Sequence, residues 1–198
     1  MIKSRVPFII TSKKQLTALA SPARQEIVDA LTVTGALSVA ELAATLGKPA
    51  DALYYHLRIL EVAGLIEKDG SRQTQGKPEA LFRARVSELR IDYKAARRNS
   101  RHALTAAVSS MLRLGIRDFS QAIRNQDVVV SGNQRDLWAL RKTGWLSLKD
   151  MAHVNDSIAH LADAVSRPGG QGRLYAITIL LTPLNRRRRA STSKRKTA

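Results

Sequence analysis

Between Ser38 and Leu60 the apolar positions fall at helical spacing twice, once on each side of a glycine. Val39, Leu42, Ala43 and Leu46 share a face of a first short helix, which Ser38 is placed to cap and Glu41, three residues on, to close as a capping box. Gly47 ends it, because a left-handed residue there satisfies the last carbonyls at no steric cost. Pro49 suits the first position of a second helix, where its missing N–H is not needed. Leu53, Leu57 and Leu60 form the stripe of that helix, and Gly64 stops it. The spacing therefore predicts two short helices across a tight turn, a helix-turn-helix candidate. Any helical hairpin shares that much.

The next stretch narrows it. Leu65 to Lys68 and Ala80 to Arg85 are two apolar-bearing runs around a basic loop, Asp69 to Pro78, that holds Gly70 and Gly76. This pattern predicts a β-hairpin, and a hairpin directly after the second helix is a wing. The string Leu46-Gly47, Leu53, His56-Leu57, Leu60, Gly64-Leu65-Ile66, preceded by Leu19-Ala20-Ser21-Pro22-Ala23-Arg24 and Ile27, resembles the winged-helix domain of the ArsR-type bacterial transcriptional regulators. The resemblance covers residues 12–85. It implies a homodimer built through helices flanking the reading head, acting on operator DNA.

Upstream, Ser12 is placed to cap a helix through Ala20, and Ser21-Pro22 restarts one that Gly35 ends, with Leu16, Leu19, Ile27, Val28 and Leu31 on the apolar face. These helices read as support for the second motif helix. Residues 1–11 read as an extended lead-in, and Glu88 to Asp92 as a short extended link. From 93 to 126 one helix is expected, with Leu104, Val108, Met111, Leu112, Gly115, Phe119, Ala122 and Ile123 on one side. It is too long for a head of some seventy-five residues to bury. Part of the stripe should meet a second chain or the C-terminal part, and Leu104, Val108, Met111, Leu112 and Phe119 are the expected dimerisation residues.

Residues 127–184 read as a small appended α/β unit, a possible effector or dimer module. It has a short strand or loop at 128–130, a strand or else a short helix ended by Gly144 over Asp136 to Leu146 (the strand is the preferred reading), a helix capped by Ser147 and a strand over Arg173 to Thr182. Pro168 to Gly172 reads as a loop. The overall expectation is a mostly α fold with a β-wing at 12–92, a long dimerisation helix at 93–126, the unit at 127–184, and a disordered basic tail at 185–198.

Charge changes the picture. The formal net charge is +17, and although residues 186–196 hold seven Lys/Arg, the rest keeps about +10, so the folded body itself invites a polyanion. With no cysteine, disulfides, thiolate zinc sites and cysteine nucleophiles are excluded. The longest apolar run, Leu174 to Leu184, is about half a membrane span. The protein is expected to be cytoplasmic, with no membrane partner.

In this motif the N-terminal half of the second helix reaches base edges in the major groove. Projected at 100° per residue, Lys48, Asp51, Ala52, Tyr55 and Arg58 lie opposite the leucine stripe, with Tyr54 beside them and His56 near the core edge. Arg58 suits a guanine and the tyrosines suit phosphates or thymine methyls. Arg72 and Lys77 place two charges at the wing tip, which suits a phosphate backbone or the minor groove. The DNA-binding set is thus Lys48, Asp51, Ala52, Tyr54, Tyr55, Arg58, Arg72 and Lys77. A solvated helix surface and hairpin tip is the bland alternative.

No enzyme, cofactor or catalytic residue is expected. Gly169-Gly170-Gln171-Gly172 lacks the strand–helix context of a dinucleotide loop, and no phosphate-binding Gly-Lys-Ser loop or Gly-x-Ser-x-Gly occurs. His153, Asp156, His160 and Asp163 recur at spacings of three and four, as a zinc or nickel site would. A solvated helix face explains them better, so no metal is expected. The leading function is a sequence-specific, homodimeric DNA-binding regulator on an inverted-repeat operator, its effector unknown. The alternative is a non-specific DNA-compacting or RNA-binding winged-helix protein with a basic tail.

Overall fold

The computed structural model describes residues 8–73, 76–85, 89–165 and 172–185. The loop expected at 168–171, the tail beyond 185, the wing-tip positions Thr74 and Gln75, and the start of the extended lead-in lie outside the described residues.

The elements run β1 (Phe8–Ile10), α1 (Lys13–Ala18), α2 (Pro22–Thr34), β2 (Leu37–Ser38), α3 (Val39–Leu46), α4 (Ala50–Val62), β3 (Ile66–Arg72), β4 (Glu79–Ala84), β5 (Leu89–Ile91), α5 (Tyr93–Asn99), α6 (Arg101–Ala122) and α7 (Leu148–Val165). The fold is helix-rich, with one small three-stranded antiparallel sheet in the order β2-β4-β3. Its hairpin follows α4 directly.

Local chemistry explains the helix boundaries. Ser12 caps α1 with a capping box through Gln15. Pro22 opens α2, where Arg24 returns to the carbonyls of Thr17 and Ala18 at the end of α1. That satisfies acceptors that a six-residue helix leaves open. The core gathers Leu16, Ile27, Leu31, Leu42, Leu53, Leu57, Leu60, Leu65 and Ile66, all buried. Side chains that helical periodicity places on one face of α2, α3 and α4 thus meet in one cluster.

Several expectations are corrected. The wing strands are longer than the hairpin pattern implies: β3 continues to Arg72, pairing Ser71 with Ala80 and Arg72 with Glu79 after a register shift beyond Lys68. Gly70, at φ +80°, takes the turn that this bulge requires. The lead-in and the link are not isolated, because β1 and β5 pair in parallel, Phe8 opposite Leu89 and Ile10 opposite Ile91.

The helix expected over 93–126 is two. Ser100, at φ −170°, breaks it, and α5 has its own cap in Asp92, which accepts from the N–H groups of Lys94 and Ala95. The line of α6 that is fully buried is Ala103, Ala107, Ser110 and Leu114, beside the predicted stripe. Small residues there let the helix approach α1 and α2 closely, and Gln25 reaches the Ala107 carbonyl at 3.0 Å. Of the expected dimerisation set, Leu104, Val108, Met111 and Leu112 are half-buried within this chain, with Leu104 packed on the core. Phe119 is exposed.

Among the described residues of the C-terminal unit only the helix forms. Residues 128–130, Asp136 to Leu146 and Arg173 to Thr182 carry no sheet pairing among the described residues. The alternation that suggested strands says which side chains share a face, but a strand needs a neighbouring edge to pair with. Asp136 ties the runs together, accepting from the Val129 N–H at 2.8 Å, Arg173 at 3.1 Å and the Tyr175 hydroxyl. Arg135 lies 4.3 Å over the Trp138 ring. Thr178 crosses α6 at Gly115, where a Cβ would stand 3.1 Å from its hydroxyl. Gly115 thus serves close approach, and α6 runs on through it. Among the described residues no helix is long and apolar enough to cross a membrane.

Candidate nucleic-acid interface

The turn between α3 and α4 orients everything that follows. Ser38 and Glu41 form the predicted capping box, with Ser38 N–H to Glu41 Oε2 at 2.8 Å and Glu41 N–H to Ser38 Oγ at 3.3 Å. Gly47 is left-handed at φ +60°, and its N–H and that of Lys48 both return to the Ala43 carbonyl. Pro49 stands one position earlier than expected: it is the N-cap, and α4 begins at Ala50. No side chain caps this helix, but Asp51 sits in its first turn, where a carboxylate complements the backbone dipole.

Burial of Leu53, Leu57 and Leu60 against the core turns the other face of α4 outward. Asp51, Ala52, Tyr54, Tyr55 and Arg58 are all exposed, the two tyrosines at 58% and 67%. Two large aromatic side chains thus stand in water next to each other on a helix with a firm apolar anchor. Sequence reasoning missed what flanks them. A cleft of about 770 Å³ between α1 and α4 is lined by Lys13, Lys14, Tyr55 and Arg58, with Ile59 and Val62 at its floor. The α1 lysines, which read as part of a supporting element, thus stand beside the exposed face of α4. Adjacent lysines beside a helix cap were the available signal.

The other candidates divide. Lys48 is not on the open face, since its ammonium pairs with Glu26 of α2. Glu26 in turn takes both terminal nitrogens of Arg117 on α6, at 2.7 and 3.2 Å. Burial works against the charge of Glu26, yet the hydrogen bonds from Arg117 and Lys48 hold its carboxyl below the usual range. One carboxylate therefore ties the turn of the motif to α6. Glu26→Gln removes the charge both cations share, and Arg117 is half exposed, so the expected loss is a modest ~1–2 kcal/mol. Chemical denaturation of parent and variant at pH 7 measures it. The loss should vanish at acid pH, because a lowered carboxyl pKa contributes stability above its unfolded value and forfeits it as pH falls through the folded value.

At the wing, Arg72 folds back to pair with Glu41, the capping-box acid of α3. The Ser38 N–H and this guanidinium hold Glu41 below the ordinary carboxylate range. Lys77 lies exposed at the far side of the hairpin. On the core side, His56 stands edge-on to Tyr55, ring centroids 5.5 Å apart, with its Nδ1 buried. Burial, then the charges of Arg24 and Lys48, push its pKa down. A lowered histidine pKa favours the neutral ring, so its contribution to stability is present above the unfolded value of 6.5 and is lost as pH falls through the lower folded value. Asp29, whose carboxyl is pushed up to about 6 by burial and by the nearby Asp118 and Glu26, works in the opposite sense. The His56 share is therefore read as a difference: the parent should lose more stability than His56→Gln on acidification below about pH 6.5. Thermal melting between about pH 5 and 8 reads both.

His153, Asp156, His160 and Asp163 lie along the exposed side of α7. Among the described residues no three His, Cys, Asp or Glu side chains come together as a metal site.

A capped first helix, a glycine turn and a second helix with an open polar face followed by a hairpin occupy one continuous stretch. Residues 19–69 match the family model of a helix-turn-helix domain. The match begins at Leu19, before α2, and ends in β3, so the helix-turn-helix domain includes α2, α3 and α4 and the start of the first wing strand. Tyr54, Tyr55 and Arg58 fall inside it, while Lys13, Lys14, Arg72 and Lys77 lie outside. The chain has no match among curated proteins.

Proposed function

We propose that this chain is a sequence-specific DNA-binding transcriptional regulator of ArsR-like type, acting as a homodimer on an inverted-repeat operator. The observation that carries the reading is the outward face of α4. Tyr55 and Arg58 project from the second helix of a helix-turn-helix domain, between an apolar anchor behind and Lys13 and Lys14 alongside. That arrangement suits base contacts from α4 with phosphate contacts on either side. A net charge of +17 adds the electrostatic attraction that every DNA-binding surface needs.

The dimer is supported by apolar surface that this chain leaves open. Ile116, Phe119 and Ile123 are 66%, 38% and 53% exposed at i, i+3 and i+7 on the C-terminal half of α6. Trp138, Leu140, Trp145, Ile177 and Leu181 are exposed too, and α7 buries no residue at all. Exposed apolar surface on this scale in one chain marks an interface. A two-fold second copy would bury it and present two reading helices to one face of the duplex.

Selection of sites from a random duplex library with purified protein tests the reading. The expected product is an inverted repeat with half-sites about one helical turn apart, or a multiple of it. Recovery of no consensus, with tight binding to all duplexes, would favour the non-specific compacting role, and preferential capture of RNA would favour RNA binding.

A further inference from the structure

A second cleft continues the one between α1 and α4, and the two share Lys13 and Thr17. It measures about 1060 Å³ and opens where α1, α5 and the first turns of α6 meet. Lys13, Lys94, Arg97, Arg98, Arg101 and His102 line it, and no carboxylate lines either cleft. Among the described residues none of these five Lys/Arg side chains belongs to an ion pair. The acid nearest in sequence, Asp92, is occupied in capping α5 through the Lys94 and Ala95 N–H groups at 2.9 and 3.0 Å.

Helix stability does not explain this cluster. Arg97 and Arg98 in the last turn of α5 do suit the backbone dipole, but Lys13, Lys94 and Arg101 each sit in a first turn, where a cation opposes it. Five cations around one open space also repel each other, a standing cost that a polyanion in the cleft would remove. The geometry points to a phosphate track: resting on the DNA-binding reading above, this cleft takes the sugar–phosphate backbone of duplex flanking the bases that α4 reads. The shared Lys13 makes the path continuous. A strand leaving Arg58 passes Lys14 and Lys13 before it reaches Lys94, Arg97, Arg98 and Arg101. These contacts carry no sequence information, but they lengthen the footprint and fix the angle at which the reading helix sits.

Two duplexes carrying the selected site test the track, one trimmed to the bases under the reading helices and wings, the other extended by about one helical turn (~10 base pairs) at each end. Affinity is measured across a salt series for the parent and for Lys94→Gln/Arg97→Gln/Arg98→Gln, whose exposed side chains leave the core untouched; a thermal melt confirms that the variant folds. The parent is expected to bind the extended duplex more tightly and with the steeper salt slope. The variant should lose about 2–3 units of slope per bound copy on the extended duplex and little on the trimmed one, at roughly 0.9 per phosphate. A fourfold rise in salt then weakens the variant on the extended duplex by roughly 40-fold less than the parent for each bound copy. Lys13→Gln, on a different helix, should take about one unit by itself. Equal slopes for parent and variant on the extended duplex, or equal affinity of the parent for both duplexes, would overturn the track while leaving the reading face of α4 in place. Failure of the DNA reading looks different: the parent then binds scrambled duplexes of the same two lengths as tightly as those that carry the selected site.

Discussion

Replacing Leu57 by alanine is expected to destabilise the domain by about 2–5 kcal/mol and to abolish specific DNA binding with it. Leu57 is buried in the middle of the stripe that fixes α4, between Leu53 and Leu60, in a core that also takes Leu16, Ile27, Leu42 and Leu65. Truncation removes its apolar contacts and leaves a cavity in front of the one helix whose orientation matters most. The core is small, and a domain of this kind has only about 5–15 kcal/mol of net stability in total. The variant should therefore populate unfolded chain at moderate temperature, and the part still folded should hold α4 less firmly. Denaturant unfolding gives the first effect, and binding at a temperature where the variant remains folded gives the second. An unfolding midpoint equal to the parent's would mean that α4 is anchored elsewhere.

The second large effect concerns the dimer. Phe119→Arg is expected to convert the protein to monomers and to cost at least two orders of magnitude in operator affinity. In a single chain Phe119 is 38% exposed, so an arginine there has water within reach and should disturb the fold little. In a two-fold interface the same charge is stranded in apolar surface beside Ile116 and Ile123, at a cost of several kcal/mol. One head alone keeps only half of the contacts and loses the benefit of tethering the second. Sedimentation of parent and variant at micromolar concentration decides it. A parent that sediments as a monomer would remove the dimer from the proposal, and a dimeric variant with full affinity would move the interface to the apolar residues of 127–184.

The parts legible from residue order are those whose causes are local. Ser38, Glu41, Gly47 and the leucines of α4 each act within a few residues of themselves, so the two helices, their turn and the wing could be read directly. No glycine or proline marks the break at Ser100, so residue order gives no sign of it. The β1–β5 pair joins segments some eighty residues apart, and nothing in either short run names the other. Ion pairs are illegible for the same reason. Lys48 and Arg72 were both assigned to DNA from helix projection and loop charge, while Glu26 and Glu41, brought close only by folding, pair with them here. Lys13 and Lys14 are the reverse case: they sit in a helix expected only to support the motif, and the packing of α1 beside α4 brings them to Tyr55 and Arg58. In 127–184, the alternation of Tyr175, Ile177, Ile179 and Leu181 defines a face but no partner for it.

The proposed function stands on base reading by the outward face of α4. Its most direct test is equilibrium binding of the parent and of Arg58→Ala to the selected operator and to a scrambled duplex of equal length, at one fixed salt concentration. Arg58 is exposed and outside the core, so its loss should leave stability unchanged. The parent should prefer the operator by about a thousandfold or more. The variant should lose about 1–3 kcal/mol on the operator and almost nothing on the scrambled duplex. Equal binding of the parent to both duplexes, or an equal loss on both in the variant, would show that α4 holds phosphates without reading sequence.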